Sequence, residues 1–277
     1  MILQPIIEHL YDVPVDRLDH DEARDVVQQL KEELNTGNVR AAEPVQGDWR
    51  VNHWVKKGIL LAFRIGTLME FPNGTSQSWF DKNTLGLRSF TTDDKVRLVP
   101  GGSAIRDGAF VAAGTVLMPP SYVNIGAYID RGTLIDSHAL VGSCAQIGRR
   151  VHLSAAAQVG GVLEPIGSMP VILEDDVFVG GNCGIYEGAI VRSRAVIAAG
   201  VILTGSTPVY DLVRNVIYRK SENHPLIIPE GAVVVPGNRH IDAPFAKEHH
   251  LSLYTPIIVK YRDAKTDAGS ALEECLR

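Results

Sequence analysis

Side chains able to do chemistry are sparse in this sequence and unevenly placed. Asp130 and Asp136 each follow an isoleucine, Ile129 and Ile135, in a stretch where aliphatic residues recur at a fixed interval. Successive side chains of a strand point to opposite faces, so an aspartate directly after an inward aliphatic faces outward. An outward carboxylate is of a type that can do acid–base chemistry, although plain solvation also accounts for an exposed aspartate. His138 and His152 raise the question of a metal, which needs about three imidazoles converging at about 2.0–2.1 Å. The two occupy different positions relative to the repeat, so they are not expected to converge, and no metal is expected. Cys144, Cys183 and Cys275 are odd in number and lack CxxC spacing, which points to reduced thiols rather than a disulfide framework or a zinc knuckle.

The elements that position these groups are set by a period of six. Aliphatic residues recur at Ile105, Val111, Leu117, Val123, Ile129, Ile135, Val141, Ile147 and Leu153, resume at Leu173, Val179, Ile185, Val191, Ile197 and Leu203, and return at Ile228 and Val234. With aliphatics at about one position in four, the first fifteen hits arise by chance with probability ~10⁻⁹. Four residues after each aliphatic the sequence is small or β-branched, from Ala109 and Thr115 to Val201 and Thr207. Gly108, Gly114, Gly126, Gly132, Gly188 and Gly200 precede that position, where a tight corner requires positive φ. Six residues are too few for a βαβ crossover. Three short strands joined by corners instead make one coil, of about 18 residues, of a triangular parallel β-helix. A β-sandwich would show period-two alternation with turns every 8 to 12 residues or so.

The repeats are broken twice, at 159–172 and 209–227, and inserts in a solenoid leave as surface loops, often at a binding face. Upstream, Ala23, Val26, Val27, Leu30 and Leu34 have helical spacing within Asp21 to Leu34, with Gly37 as a stop signal. A second helix is predicted around Val55 to Phe63, with Trp54 and Leu61 inward and Lys56 and Lys57 solvated or facing a ligand. Tyr254 to Lys260 reads as a strand and Ser270 to Leu276 as a short helix. The chain thus divides into a mainly helical region at 1–96, a β-helix at 97–240 and a C-terminal strand-helix extension at 241–277.

Composition narrows the partners. The chain has 27 Lys and Arg against 32 Asp and Glu, a formal charge of −5, which gives no general attraction for a phosphate backbone. Nucleic acid is not expected. The start, MILQPIIEHLYDVPVD, lacks the basic and long apolar regions of a signal peptide, and no apolar run reaches about 18 residues, so no membrane partner and a cytoplasmic location are expected.

Longer motifs carry a resemblance. The runs NIGAYIDRGTLIDSHALVGSCAQIGRRVHLS and GGVLEPIGSMPVILEDDVFVGGN, with GDWRVNHWVKKGILLAFRI, VRLVPGGSAIRDGAFVAAGTVLMPPSYV and LSLYTPIIVKYRDAKT, closely resemble the tetrahydrodipicolinate N-succinyltransferase family of hexapeptide-repeat acyltransferases. Most of the chain is covered. The resemblance implies a mainly β fold with a left-handed parallel β-helix, an exception to the right-handed crossover rule. It implies succinyl transfer from succinyl-CoA, a co-substrate rather than a bound cofactor, to tetrahydrodipicolinate or its ring-opened amino-keto form, in the lysine and diaminopimelate pathway. It also implies a homotrimer whose clefts lie between subunits.

Site residues follow from the same resemblance. The substrate-binding arginine falls on Arg97, whose guanidinium can grip a carboxylate through two parallel hydrogen bonds. The catalytic aspartate of the family motif VDTWA falls on Asp136, within IDSHA. The family motif SEVVEG departs here: its first glutamate is Gly184, while its second is kept as Glu187, the expected catalytic partner. The pantetheine arm is expected beside Gly160, Gly161, Ala198, Ala199 and Gly200, and the CoA phosphates near Arg219 and Lys220. His152 as a general base is a weaker alternative. The rival functions are acetyl transfer to the same acceptor, acylation of a sugar nucleotide, and a non-catalytic β-helix that binds a partner, because the fold alone does not decide function.

Overall fold

The computed structural model describes residues 3–72, 78–222 and 224–263. From Ala104 the chain winds through two-residue strands, one per hexad, that stack into three parallel sheets forming the faces of a prism. Face I holds Ala104–Ile105, Tyr122–Val123, Leu140–Val141, Gln158–Val159, Gly184–Ile185 and Ile202–Leu203. Face II runs from Phe110–Val111 through Tyr128–Ile129 and Gln146–Ile147 to Ile227–Ile228. Face III starts at Arg97–Leu98 and passes through Val116–Leu117, Leu134–Ile135, His152–Leu153, Phe178–Val179 and Val196–Ile197 to the long strand Ala232–His240.

The second residue of each pair is the hexad aliphatic, and from Ile105 to Val234 these residues are buried in one continuous core. Each stacks on its equivalent one coil away at about 4.8 Å and contributes about 1.5–3 kcal/mol by leaving water. The corner glycines have the left-handed backbone that their spacing predicted, with φ from +72° at Gly132 to +89° at Gly108. The first repeat run is one hexad longer than expected. Gln158–Val159 pairs in register with Leu140–Val141, so the first insert is the shorter loop 160–171.

The second insert is not a free loop. It folds into the antiparallel hairpin Val209–Asp211 and Val216–Tyr218, which extends face III alongside the strand Ser252–Tyr261. That last strand covers the Tyr254 to Lys260 prediction and lies antiparallel on Ala232–His240. The helix expected at 270–276 lies outside the described residues.

Three helices precede the prism: α1 (Leu3–Asp12), α2 (His20–Thr36) and α3 (His53–Ile65). Asp19 caps α2, its carboxylate accepting the N–H groups of Asp21 and Glu22 at 3.0 and 3.1 Å, and Gly37 ends it at φ +76°. Their apolar faces bury Ile7, Leu30, Ile59 and Leu61 against Ile125 and Cys144, which lie at the corner between faces I and II. The near-buried pair Lys31–Asp107, at 2.8 Å, fixes the register of this docking. Sequence periodicity does not reveal α1 or the two hairpins Ala42–Val45/Asp48–Val51 and Leu68–Phe71/Trp79–Lys82, which are too short to show a period.

One lysine departs from expectation. Lys56 is neither solvated nor ligand-facing: it is fully buried, and its Nζ donates to the Ser168 carbonyl at 2.5 Å. Burial lowers its pKa, and the nearby Cys144 opposes that shift. Helix α3 thereby holds the loop 160–171 in place.

Candidate active site

The three corners of the prism carry different chemistry. Asp130, between faces II and III, has its carboxylate 3.6 Å from the Arg149 guanidinium. Asp136, between faces III and I, is half-buried and has no cation partner among the described residues; its Oδ1 accepts only the N–H of Ser137, at 2.7 Å. Of two aspartates that the hexad treats alike, the second is the one left available. Arg97 lies on the same face III, exposed at its first strand, two strands from the one that ends at Asp136. Its backbone is tied to Thr115, its N–H donating to that carbonyl at 2.9 Å, while its guanidinium makes no hydrogen bond or ion pair among the described residues. Below Asp136 the same corner continues as Ser154, Gly180 and Ala198, all small residues, and Ala199 and Gly200 follow.

The corner between faces I and II is built differently. Its upper half is covered by the helices, and its lower half opens into a cleft lined by Gly160, Gly161, Tyr186, Glu187 and Lys220 together with the two inserts. Glu187 at φ +54° is followed by Gly188 at φ +73°, two consecutive residues with positive φ. A non-glycine residue in this region costs about 1–2 kcal/mol, so the corner is held by its surroundings. Gly188 is required there, because a Cβ would lie 2.4 Å from the Met169 carbonyl of the first insert. The redirected chain aims the exposed Glu187 carboxylate at the N–H of Gly205, which it accepts at 2.8 Å.

Gly184 now has a physical cause. A Cβ at this position would sit 2.4 Å from the Tyr186 ring and 2.8 Å from its hydroxyl, and a Cβ at Gly160 would meet the same ring at 2.7 Å. The tyrosine folds back over two glycines and fills the space that a side chain at 184 would need. Neither the left-handed glutamate nor this ring is read from the hexad, which distinguishes only inward from outward positions. The cue was an aromatic in an outward slot beside glycine, in GIYEG.

Asp136 and Glu187 are not brought together within one chain. They occupy different corners, one face and about two coils apart, a separation on the order of 15–20 Å. The expected CoA residues divide the same way: Gly160, Gly161 and Lys220 line the Glu187 cleft, Ala198, Ala199 and Gly200 lie at or just past the Asp136 corner, and Arg219 is exposed beside Lys220. His152 is buried on face III and stacked on Phe178 at 4.8 Å, whereas His138 lies on an exposed corner at φ +62°. Cys144 and Cys183 are buried, and burial pushes the Cys144 thiol up to about 12, so neither presents a thiolate.

Stacked six-residue turns on three parallel sheets give the chain the parallel β-helix of the hexapeptide-repeat class. The family model described as the hexapeptide repeat of succinyl-transferase matches residues 170–205, and that for the tetrahydrodipicolinate N-succinyltransferase N-terminal region matches residues 2–65. Among similar proteins, the 2,3,4,5-tetrahydropyridine-2,6-dicarboxylate N-succinyltransferase of Ralstonia nicotianae is 46% identical over 93% of this chain and 90% of its own. The enzymes of the same name from Paraburkholderia phymatum and Burkholderia mallei are 42% and 44% identical, over 99% and 92% of this chain and 98% and 90% of their own. The chain belongs to the tetrahydrodipicolinate N-succinyltransferase family.

Proposed function

We propose that this protein transfers the succinyl group of succinyl-CoA to the amine of tetrahydrodipicolinate, or of the amino-keto acid formed when its ring opens, in the cytoplasmic route to diaminopimelate and lysine. The observation that carries this reading is identity above 40% with enzymes so named along nearly the whole chain. Only a neutral amine has the lone pair that attacks a thioester, and the uncompensated carboxylate of Asp136 is suited to hold the ammonium form and take its proton. The C–N bond forms as a tetrahedral oxyanion develops on the acyl carbon. The C–S bond then breaks, and CoA leaves as a thiolate that picks up a proton. The burial of Cys144 and Cys183, the cysteines among the described residues, supports direct transfer without an acyl-enzyme.

Glu187 takes part through a second copy of the chain. The distance between the Asp136 and Glu187 corners supports a homotrimer in which the Asp136 groove of one subunit faces the Glu187 cleft of its neighbour, with pantetheine lying between the small residues of both. Arg97 grips an acceptor carboxylate on the Asp136 side, and Arg219 and Lys220 meet the CoA phosphates.

The test is release of the CoA thiol by purified protein with succinyl-CoA or acetyl-CoA, with and without acceptor. Acceptor-dependent release that is faster with succinyl-CoA is expected; release with acetyl-CoA alone would correct the donor. In the same assay Arg97→Lys should raise the Michaelis constant of the acceptor several-fold more than that of succinyl-CoA, since lysine keeps the charge and loses the paired donors. Equal changes for both substrates would give Arg97 a structural role.

A further inference from the structure

The cleft at the Glu187 corner contains a donor to which neither the family motifs nor the hexad pattern assigns a role. Tyr186 lines the cleft and its hydroxyl has no hydrogen-bond partner among the described residues. Its ring lies over Gly184, two residues before it, and over Gly160 one coil away, close enough that a Cβ at either glycine would meet it. The other polar side chains that the second insert brings to the cleft, Lys220, Ser221, Glu222 and His224, are exposed. Tyr186 is half-buried over those two glycines.

A donor of this kind suits one step of the chemistry. When the amine attacks the thioester, negative charge develops on the acyl oxygen, and a preorganised neutral donor stabilises that charge without reorganising. A carboxylate such as Glu187 cannot do this in its ionised form. Its acceptor capacity is turned instead toward the Gly205 N–H.

Accordingly, we infer that Tyr186 donates its phenolic hydrogen to the oxyanion of the acyl-transfer step, and that Gly160 and Gly184 are positioning residues that keep its ring on the wall of the cleft. This rests on the acyl-transfer reading above. It also gives the glycine at 184 a purpose: the residue is small because its neighbour two positions on occupies the space.

The experiment uses the full-length protein and three variants, Tyr186→Phe, Gly184→Ala and the double variant, with kcat and KM measured for succinyl-CoA, acetyl-CoA and acceptor. Tyr186→Phe keeps the ring packing and should lower kcat by roughly 10- to 10²-fold with little change in either KM. Gly184→Ala forces the ring off its seat and should show a comparable loss. The double variant should be no worse than the poorer single variant, the coupling expected of two residues acting through one hydroxyl. Should Gly184→Ala fail to fold, Tyr186→Phe decides alone. Wild-type kcat in Tyr186→Phe overturns the inference, and so does a loss carried wholly by KM, which would make the hydroxyl a ground-state contact. A wild type that uses only acetyl-CoA corrects the proposed donor and leaves the Tyr186 comparison readable. A wild type that turns over neither thioester removes both readings.

Discussion

Asp136→Asn should keep the folded prism and lose at least about 10²-fold in kcat, the scale of a missing acid–base group. The structure explains why the fold survives. Asparagine retains the Oδ1 acceptor that Asp136 offers to the Ser137 N–H at 2.7 Å, and among the described residues the carboxylate has no cation whose charge would be stranded. Kinetics by CoA release, beside thermal unfolding of both proteins, separate the two effects. Asp130→Asn is the control: it sits at the same hexad position but is paired with Arg149, and it should cost little turnover. Wild-type kcat in Asp136→Asn would remove Asp136 from the mechanism.

Mixing two inactive variants should restore activity. If each site takes Asp136 from one subunit and Glu187 from the next, Asp136→Asn and Glu187→Gln trimers are both inactive. Randomly mixed trimers nonetheless contain sites with both native groups, about one site in four for an equal mixture in a closed ring. Co-expressing the two variants with different tags and isolating the mixed trimers, each of which holds one native site in its ring, should therefore yield activity on the order of a third of wild type. No recovery, with both parent variants inactive, would place the two groups in one chain's site, against their separation. An active Glu187→Gln would dismiss Glu187 as a solvated corner residue. Restoring a carboxylate with Gly184→Glu is not a clean alternative, since its Cβ would collide with the Tyr186 ring.

The prism was legible because its core is written once per hexad. Each aliphatic from Ile105 to Val234 contacts its own equivalents one coil away, so long-range packing leaves a local period in the sequence. The same holds for the corner glycines and for α2, whose cap, apolar stripe and stop signal are neighbours in the chain. Asp136 was legible as an outward residue and Arg97 only through resemblance, because outward positions carry no periodic constraint.

Tertiary structure alone decided what those outward residues meet. It paired Asp130 with Arg149 and left Asp136 without a cation partner among the described residues, although both follow an isoleucine in identical positions. It buried Lys56, which the sequence left solvated or facing a ligand, because the carbonyl that accepts its hydrogen bond is Ser168, on a loop far along the chain. It bent the corner at Glu187 and laid Tyr186 over Gly160 and Gly184. In each case the deciding contact joins residues from different coils or from outside the repeat. Hydrophobic periodicity records which side of a strand faces the core, whereas ion pairing, burial of a charge and seating of a ring depend on which side chains the coiling places next to one another.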